Sequence, residues 1–97
     1  MKLIYTDHLR SRLKQRGIPL TIVKEIFEKS QEKYWDNLRN HSIVVSTVNY
    51  KGKLRKVLAA YDRIEMTKEV VTIHPIADRE IRQRLISGRW SHEKNKN

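Results

Sequence analysis

The chain has no cysteine, and among its 97 residues only three are glycine, two proline and one phenylalanine. The missing thiols exclude disulfides and thiolate metal sites, and they make a reducing cytoplasm the expected compartment. So few glycines leave no glycine-rich phosphate loop, and no Gly-x-Ser-x-Gly element occurs. Long apolar runs are also missing. "VLAAY" is far too short to span a bilayer, and "MKLIYTDHLR" turns polar after Tyr5, before any signal-peptide core develops. No membrane partner is expected. Acidic residues are scarce: 11 Asp and Glu stand against 21 Lys and Arg, a formal net charge of +10. On so small a chain, that excess favours a polyanionic partner, nucleic acid first.

What remains is a globular composition, with 38% hydrophobic and 33% charged residues. The length fits a single domain over residues 1–90, followed by a disordered polar tail, "SHEKNKN", over 91–97. "KLIY" predicts a short strand. Thr6 or Asp7 can cap a helix to Arg16, which Gly17 ends in a left-handed conformation. Thr21 is the expected cap of a second helix through Lys29, with Ile22, Val23, Ile26 and Phe27 on one apolar arc. "KYWDN", "SIVVSTVNY", "KLRKVLAAYD" and "KEVVTIHP" predict strands. The turn "YKGK" sets a register of Tyr50 against Lys53, Val48 against Arg55 and Ser46 against Val57. A last helix over "ADREIRQRLIS" carries Ile81, Leu85 and Ile86 on one side, with Gly88 as its stop. The expected class is α+β: a short strand and a two-helix hairpin packed on an antiparallel meander, then a C-terminal helix.

Helix geometry sorts the basic residues of the first helix. At ~100° per residue, Leu9 and Leu13 define the inward arc, Arg12 and Arg16 border it, and Arg10 and Lys14 point to solvent. His8 lies further out on the same flank as Arg12. Arginines at the seam with the sheet either pair with carboxylates or carbonyls or face a ligand. In the last helix Arg82 is flanked by apolar neighbours, and Asp78 four residues earlier is its expected partner. Arg89 stands beside Trp90, which either stacks a base or covers the edge of the core.

Of four histidines, His41 and His92 are expected to be solvated, whereas His74 ends a buried strand just before Pro75. No metal-ligand spacing is present, so no metal or other cofactor is expected. Histidine and arginine chemistry remains. Metal-free RNA cleavage needs a base for the 2′-hydroxyl, an acid for the leaving 5′-oxygen and cations at the phosphorane. His8 and His74 are the candidates for proton transfer, in one shared site, with Arg12 and Arg82 clamping phosphate. Arg16, Arg55, Lys56, Arg79, Arg84 and Arg89 are the candidates for binding RNA. A non-catalytic nucleic-acid-binding module and a domain that binds an acidic protein are the alternatives.

"DHLRSRLKQRGI" also resembles the start of a domain-of-unknown-function family, His-x3-Arg-x3-Arg-Gly-Ile, grouped with RelE-like and BrnT-like toxins. The order of elements is similar to the RelE fold, with "LRKVLAAYDRIEMTKEVVTIHPIADRE" in the place of its last hairpin and basic segment. The resemblance implies a ribonuclease-type toxin that cuts mRNA, with the ribosome as a potential place of action, and an acidic antitoxin as partner. It implies working residues at Arg55 or Lys56, His74 and Arg79. The chain differs from that pattern in lacking a tyrosine after the basic segment and in its longer "IRQRLISGRW" helix.

Overall fold

A computed structural model describes residues 2–93. Its elements run β1 (Lys2–Tyr5), α1 (Asp7–Arg16), α2 (Leu20–Glu28), β2 (Glu32–Asp36), β3 (His41–Tyr50), β4 (Lys53–Ile64), β5 (Thr67–Pro75), α3 (Asp78–Ile86) and β6 (Trp90–His92). The class is α+β, with three helices and one six-stranded mixed sheet among the described residues. No described helix is long and apolar enough to cross a membrane.

The sheet order is β1-β5-β4-β3-β2-β6. β2 to β5 form the antiparallel meander, and β1 closes one edge in parallel with β5. The β3–β4 hairpin has the register the turn predicts, down to Tyr50 opposite Lys53. Both central residues of that turn have positive φ, Lys51 at 53° and Gly52 at 83°. This is the twist a two-residue hairpin needs, and only the glycine adopts it without strain.

The helical hairpin is also close to expectation. The Thr6 side chain caps α1 by accepting the Leu9 N–H at 3.1 Å, and Gly17 ends it at φ 67°. In α2 the first turn differs: the helix starts at Leu20 with Pro19 in the cap position, and Thr21 makes no cap. Proline pre-sets the entry conformation and has no N–H to satisfy.

Two cores lie on opposite faces of the sheet. On one, Leu9, Leu13, Ile18, Val23 and Ile26 of the hairpin pack against Val44, Val48, Val57, Ala59, Tyr61, Val70 and Ile73. On the other, Ile81 and Leu85 of α3 pack with Ile76 and Trp90 against Tyr34, Ile43, Val45, Leu58 and Ala60. α3 thus covers the side of the sheet opposite the helical hairpin. The middle of β3 and of β4 is buried residue after residue, Ser42 to Ser46 and Val57 to Tyr61, because both faces are covered.

Two smaller expectations are corrected as well. Ile86 is 85% exposed, since Ile81 and Leu85 already seat the short α3. The polar tail starts later than residue 91. The Trp90 indole is 2% exposed and stacks on Tyr34 with ring centroids 5.1 Å apart. Burying it carries Ser91 and His92 onto the free edge of β2, where they pair with Trp35 and Tyr34. The rest of the expected tail, 94–97, lies outside the described residues.

Candidate nucleic-acid interface

α1 places its basic residues as a ten-residue helix seated by two leucines must. Arg10, Arg12, Lys14 and Arg16 are all exposed, and none has an ion-pair partner among the described residues. Arg12 and Arg16 do not enter the seam with the sheet. From the border of the apolar arc their long stems reach water, and no carboxylate or carbonyl holds them. His8 Nε2 lies 3.5 Å from Arg12 Nη1, so these two side chains meet at the surface. Arg10 lies over the Tyr5 ring, 5.4 Å from its centroid.

The Thr6 N–H donates to the Val70 carbonyl, and Phe27 near the end of α2 meets Tyr61, the partner of Val70 in the sheet. Leu13 and Ile18, on either side of the end of α1, belong to the same core as Val48, Tyr50 and Val57. Arg55 and Lys53 pair with Val48 and Tyr50, so they lie on this same face of the sheet, and both are exposed. Arg16, Arg55 and Lys53 thus lie on one face of the sheet, with Arg12 and His8 one and two turns back along α1.

The reverse face uses its charges differently. Lys56 Nζ sits 2.8 Å from Glu32 Oε2 and 2.7 Å from Asp78 Oδ1, tying β4 to β2 and to the first turn of α3. The Tyr34 hydroxyl donates to Glu32 at 2.6 Å. Burial alone would raise Glu32, but the bonds from Lys56 and Tyr34 outweigh it and hold the carboxyl below its usual range. Burial, then the Glu32 carboxylate, pushes the Tyr34 phenol up to about 12. Asp78 is lowered by Lys56, and Lys56 is raised by its two carboxylates. Lys56 is thus a structural tie rather than a free cation for RNA. Asp78 is taken by Lys56, so its expected ion pair with Arg82 does not form, and Arg82 is exposed. Arg89 pairs with the buried Asp36 at 3.4 Å, and Arg84 lies over the Trp90 ring, 5.0 Å from its centroid. Trp90 therefore belongs to the core, with arginine as its lid. Of the basic residues assigned to this side, Arg79 and Arg82 remain exposed.

His74 is opposite Leu58, on the α3 face, and its Nδ1 lies 3.0 Å from the Pro75 carbonyl oxygen. A carbonyl oxygen can only accept, so Nδ1 is the donor in that bond. His8 rides on α1, across the sheet. The shared site of His8 and His74 is overturned: a complete layer of backbone separates them. Arg12 and Arg82, the two expected clamps, are divided in the same way.

Three further groups with functional chemistry were not expected from the sequence. The Asp36 carboxylate, buried at the end of β2, accepts the Leu38 and Arg39 N–H groups as well as Arg89. These bonds overcome burial and hold it below its usual range. Glu32 is the second. The third is Asp62, 2.7 Å from His41 Nδ1, which removes His41 from the solvated class. The "YKGK" register, extended by nine residues on each strand, already places His41 opposite Asp62. The other two depend on the lateral order of strands, which no local signal carries. No family model, no curated protein and no solved structure matches the chain.

Proposed function

We propose that this protein binds RNA along its helical-hairpin face, through the phosphate backbone, on the α+β plan that the resemblance to RelE-like toxins implies. One observation carries the reading. Four exposed cations of α1 lack ion-pair partners among the described residues and share a face with Arg55 and Lys53, whereas Lys56 and Arg89 on the reverse face are bound to carboxylates. Unpaired surface arginines at this density repel one another until a polyanion neutralises them, and phosphate accepts their paired N–H groups in a bidentate fit. Binding of this kind reads the backbone and discriminates weakly among sequences.

The test is a binding titration with a single-stranded RNA at several salt concentrations. Combined Arg12→Ala, Arg16→Ala and Arg55→Ala substitutions should abolish most of the affinity, and an Arg79→Ala, Arg82→Ala variant should retain it. Equal losses in both variants would remove the face assignment.

The His8–Arg12 contact favours a second reading, a toxin-type endoribonuclease in which these two residues work as a unit. A neutral imidazole next to a phosphate-binding guanidinium can take the 2′-hydroxyl proton while the arginine holds the scissile phosphate. His74 takes no part in this version. RNA cleavage that survives His74→Ala and is lost in His8→Ala would support it. An acidic antitoxin would then act by covering the same cationic surface.

A further inference from the structure

The hairpin face has a second feature, at the end away from Arg55. Leu3 and Tyr5 of β1, Lys68 of β5, and Lys24, Phe27 and Glu28 of α2 line a cavity of about 480 Å³. The space exists because α1 starts only at the level of Val70, leaving the preceding part of β1 and β5 bordered by the last turns of α2. Its volume falls in the range of small-molecule sites, roughly 300–1,000 Å³. Leu3, Tyr5 and Phe27 are only half-buried, so apolar and aromatic surface is left facing this space.

The charges around it are unspent. Lys24 and Glu28 stand four apart on α2 yet make no ion pair, and Lys68 has no carboxylate partner among the described residues. Lys68 Nζ is instead held over aromatic rings, 5.5 Å from the Phe27 centroid and 5.2 Å from that of Tyr61. Burial, then the neighbouring Lys33 and Arg63, holds it below the usual lysine range. An ammonium so placed gains by meeting an anion. Arg10 adds a further positive charge above Tyr5.

We infer that this cavity binds a nucleotide: a nucleobase on the Tyr5 and Phe27 rings, its phosphate on Lys68 and Lys24, and its N–H edge on Glu28. The three kinds of lining match the three parts of that ligand. Aromatic rings stack any base. Ammonium groups bind phosphate as point charges. A carboxylate on the rim disfavours a bare anion but accepts the amino and imino donors of guanine, or the amino group alone of cytosine or adenine. The occupant is a free nucleotide or the terminal nucleotide of an RNA strand, since both present the same chemistry. The proposal does not rest on the phosphate-binding role of Arg12, Arg16 and Arg55, which lie elsewhere on this face.

The experiment is a backbone-amide NMR titration of the full chain with guanosine 5′-monophosphate, beside guanosine and inorganic phosphate separately. Saturating shifts should centre on Leu3, Tyr5, Phe27 and Lys68 with the nucleotide, and each fragment should bind more weakly by about tenfold or more. Lys68→Gln and Phe27→Leu should each weaken the nucleotide by about tenfold while retaining a native spectrum. Arg79→Ala and Arg82→Ala, on the reverse face, should leave it unchanged. A 5′-phosphorylated short RNA that produces the same shifts identifies a strand end as occupant; shifts with the mononucleotide alone identify a free nucleotide. No saturating shift at these residues with either ligand, or equal binding of phosphate alone, overturns the proposal.

Discussion

Trp90 shows how one side chain can decide the end of a chain. Its indole is almost wholly buried, stacked on Tyr34 and covered by Arg84, although its neighbours in sequence are polar. Removing a buried tryptophan to alanine costs about 3–5 kcal/mol. Trp90→Ala should therefore lower the urea midpoint sharply and release β6, whereas Trp90→Phe should keep the Tyr34 contact and be much milder. Lys51 makes the opposite case. It holds a positive φ that a lysine adopts at a cost of roughly 1–2 kcal/mol, and asparagine tolerates that conformation better. Lys51→Asn should raise the melting temperature without changing the fold, as read by circular dichroism. The register of this hairpin was legible from "YKGK" alone, because a two-residue turn leaves the flanking strands no freedom. The burial of Trp90 was not, since its stacking partner Tyr34 stands in a distant strand of the chain.

At the level of elements, the Tyr34–Glu32–Lys56–Asp78 chain joins β2, β4 and α3. Glu32 and Asp78 have folded-state pKa values below their ordinary ones, and so does Asp36. A lowered carboxyl stabilises the fold above its unfolded pKa, and that contribution is lost as pH falls through the folded one. Stability should accordingly hold from neutrality down to about pH 4 and decline below it. Tyr34 and Lys56 are raised, so their contribution is present below the unfolded values, about 10, and is lost as pH climbs past the folded values. Lys56→Met leaves the half-buried Glu32 without its cation. It should reduce stability by about 1–3 kcal/mol at pH 7 in a denaturant titration, and flatten the acid limb of the profile. A drop in RNA affinity out of proportion to that destabilisation would contradict the structural role assigned to Lys56.

For the whole molecule, the distribution of charge matters more than its sum. The net charge of +10 suggests a polyanion, but says nothing of which surface receives it. The sheet separates α1 and Arg55 from α3, Arg79 and Arg82. Removing one cation that neutralises a phosphate of single-stranded RNA should reduce the slope of log affinity against log salt by about 0.7. Arg12→Ala, Arg16→Ala and Arg55→Ala should therefore lower the slope stepwise and weaken different RNA sequences alike. Selective weakening on one sequence would instead point to base readout by these arginines.

The sequence by itself determined what depends on near neighbours. The Thr6 and Gly17 ends of α1, the solvent-facing Arg10 and Lys14, the strands β1 to β5 and the Lys51–Gly52 turn all follow from capping, periodicity and turn geometry within a few residues. The tertiary structure alone decided which distant groups meet. His8 and His74 both suit proton transfer, yet strand parity turns His74 toward α3 and chain direction carries His8 to the other side. Lys56 and Arg55 are adjacent, and the same parity gives one to a carboxylate pair and the other to solvent. The cavity between β1 and the end of α2 exists only because β1 joins β5 across the whole meander. Such outcomes rest on lateral strand order and face, two properties that a local pattern of residues leaves undetermined.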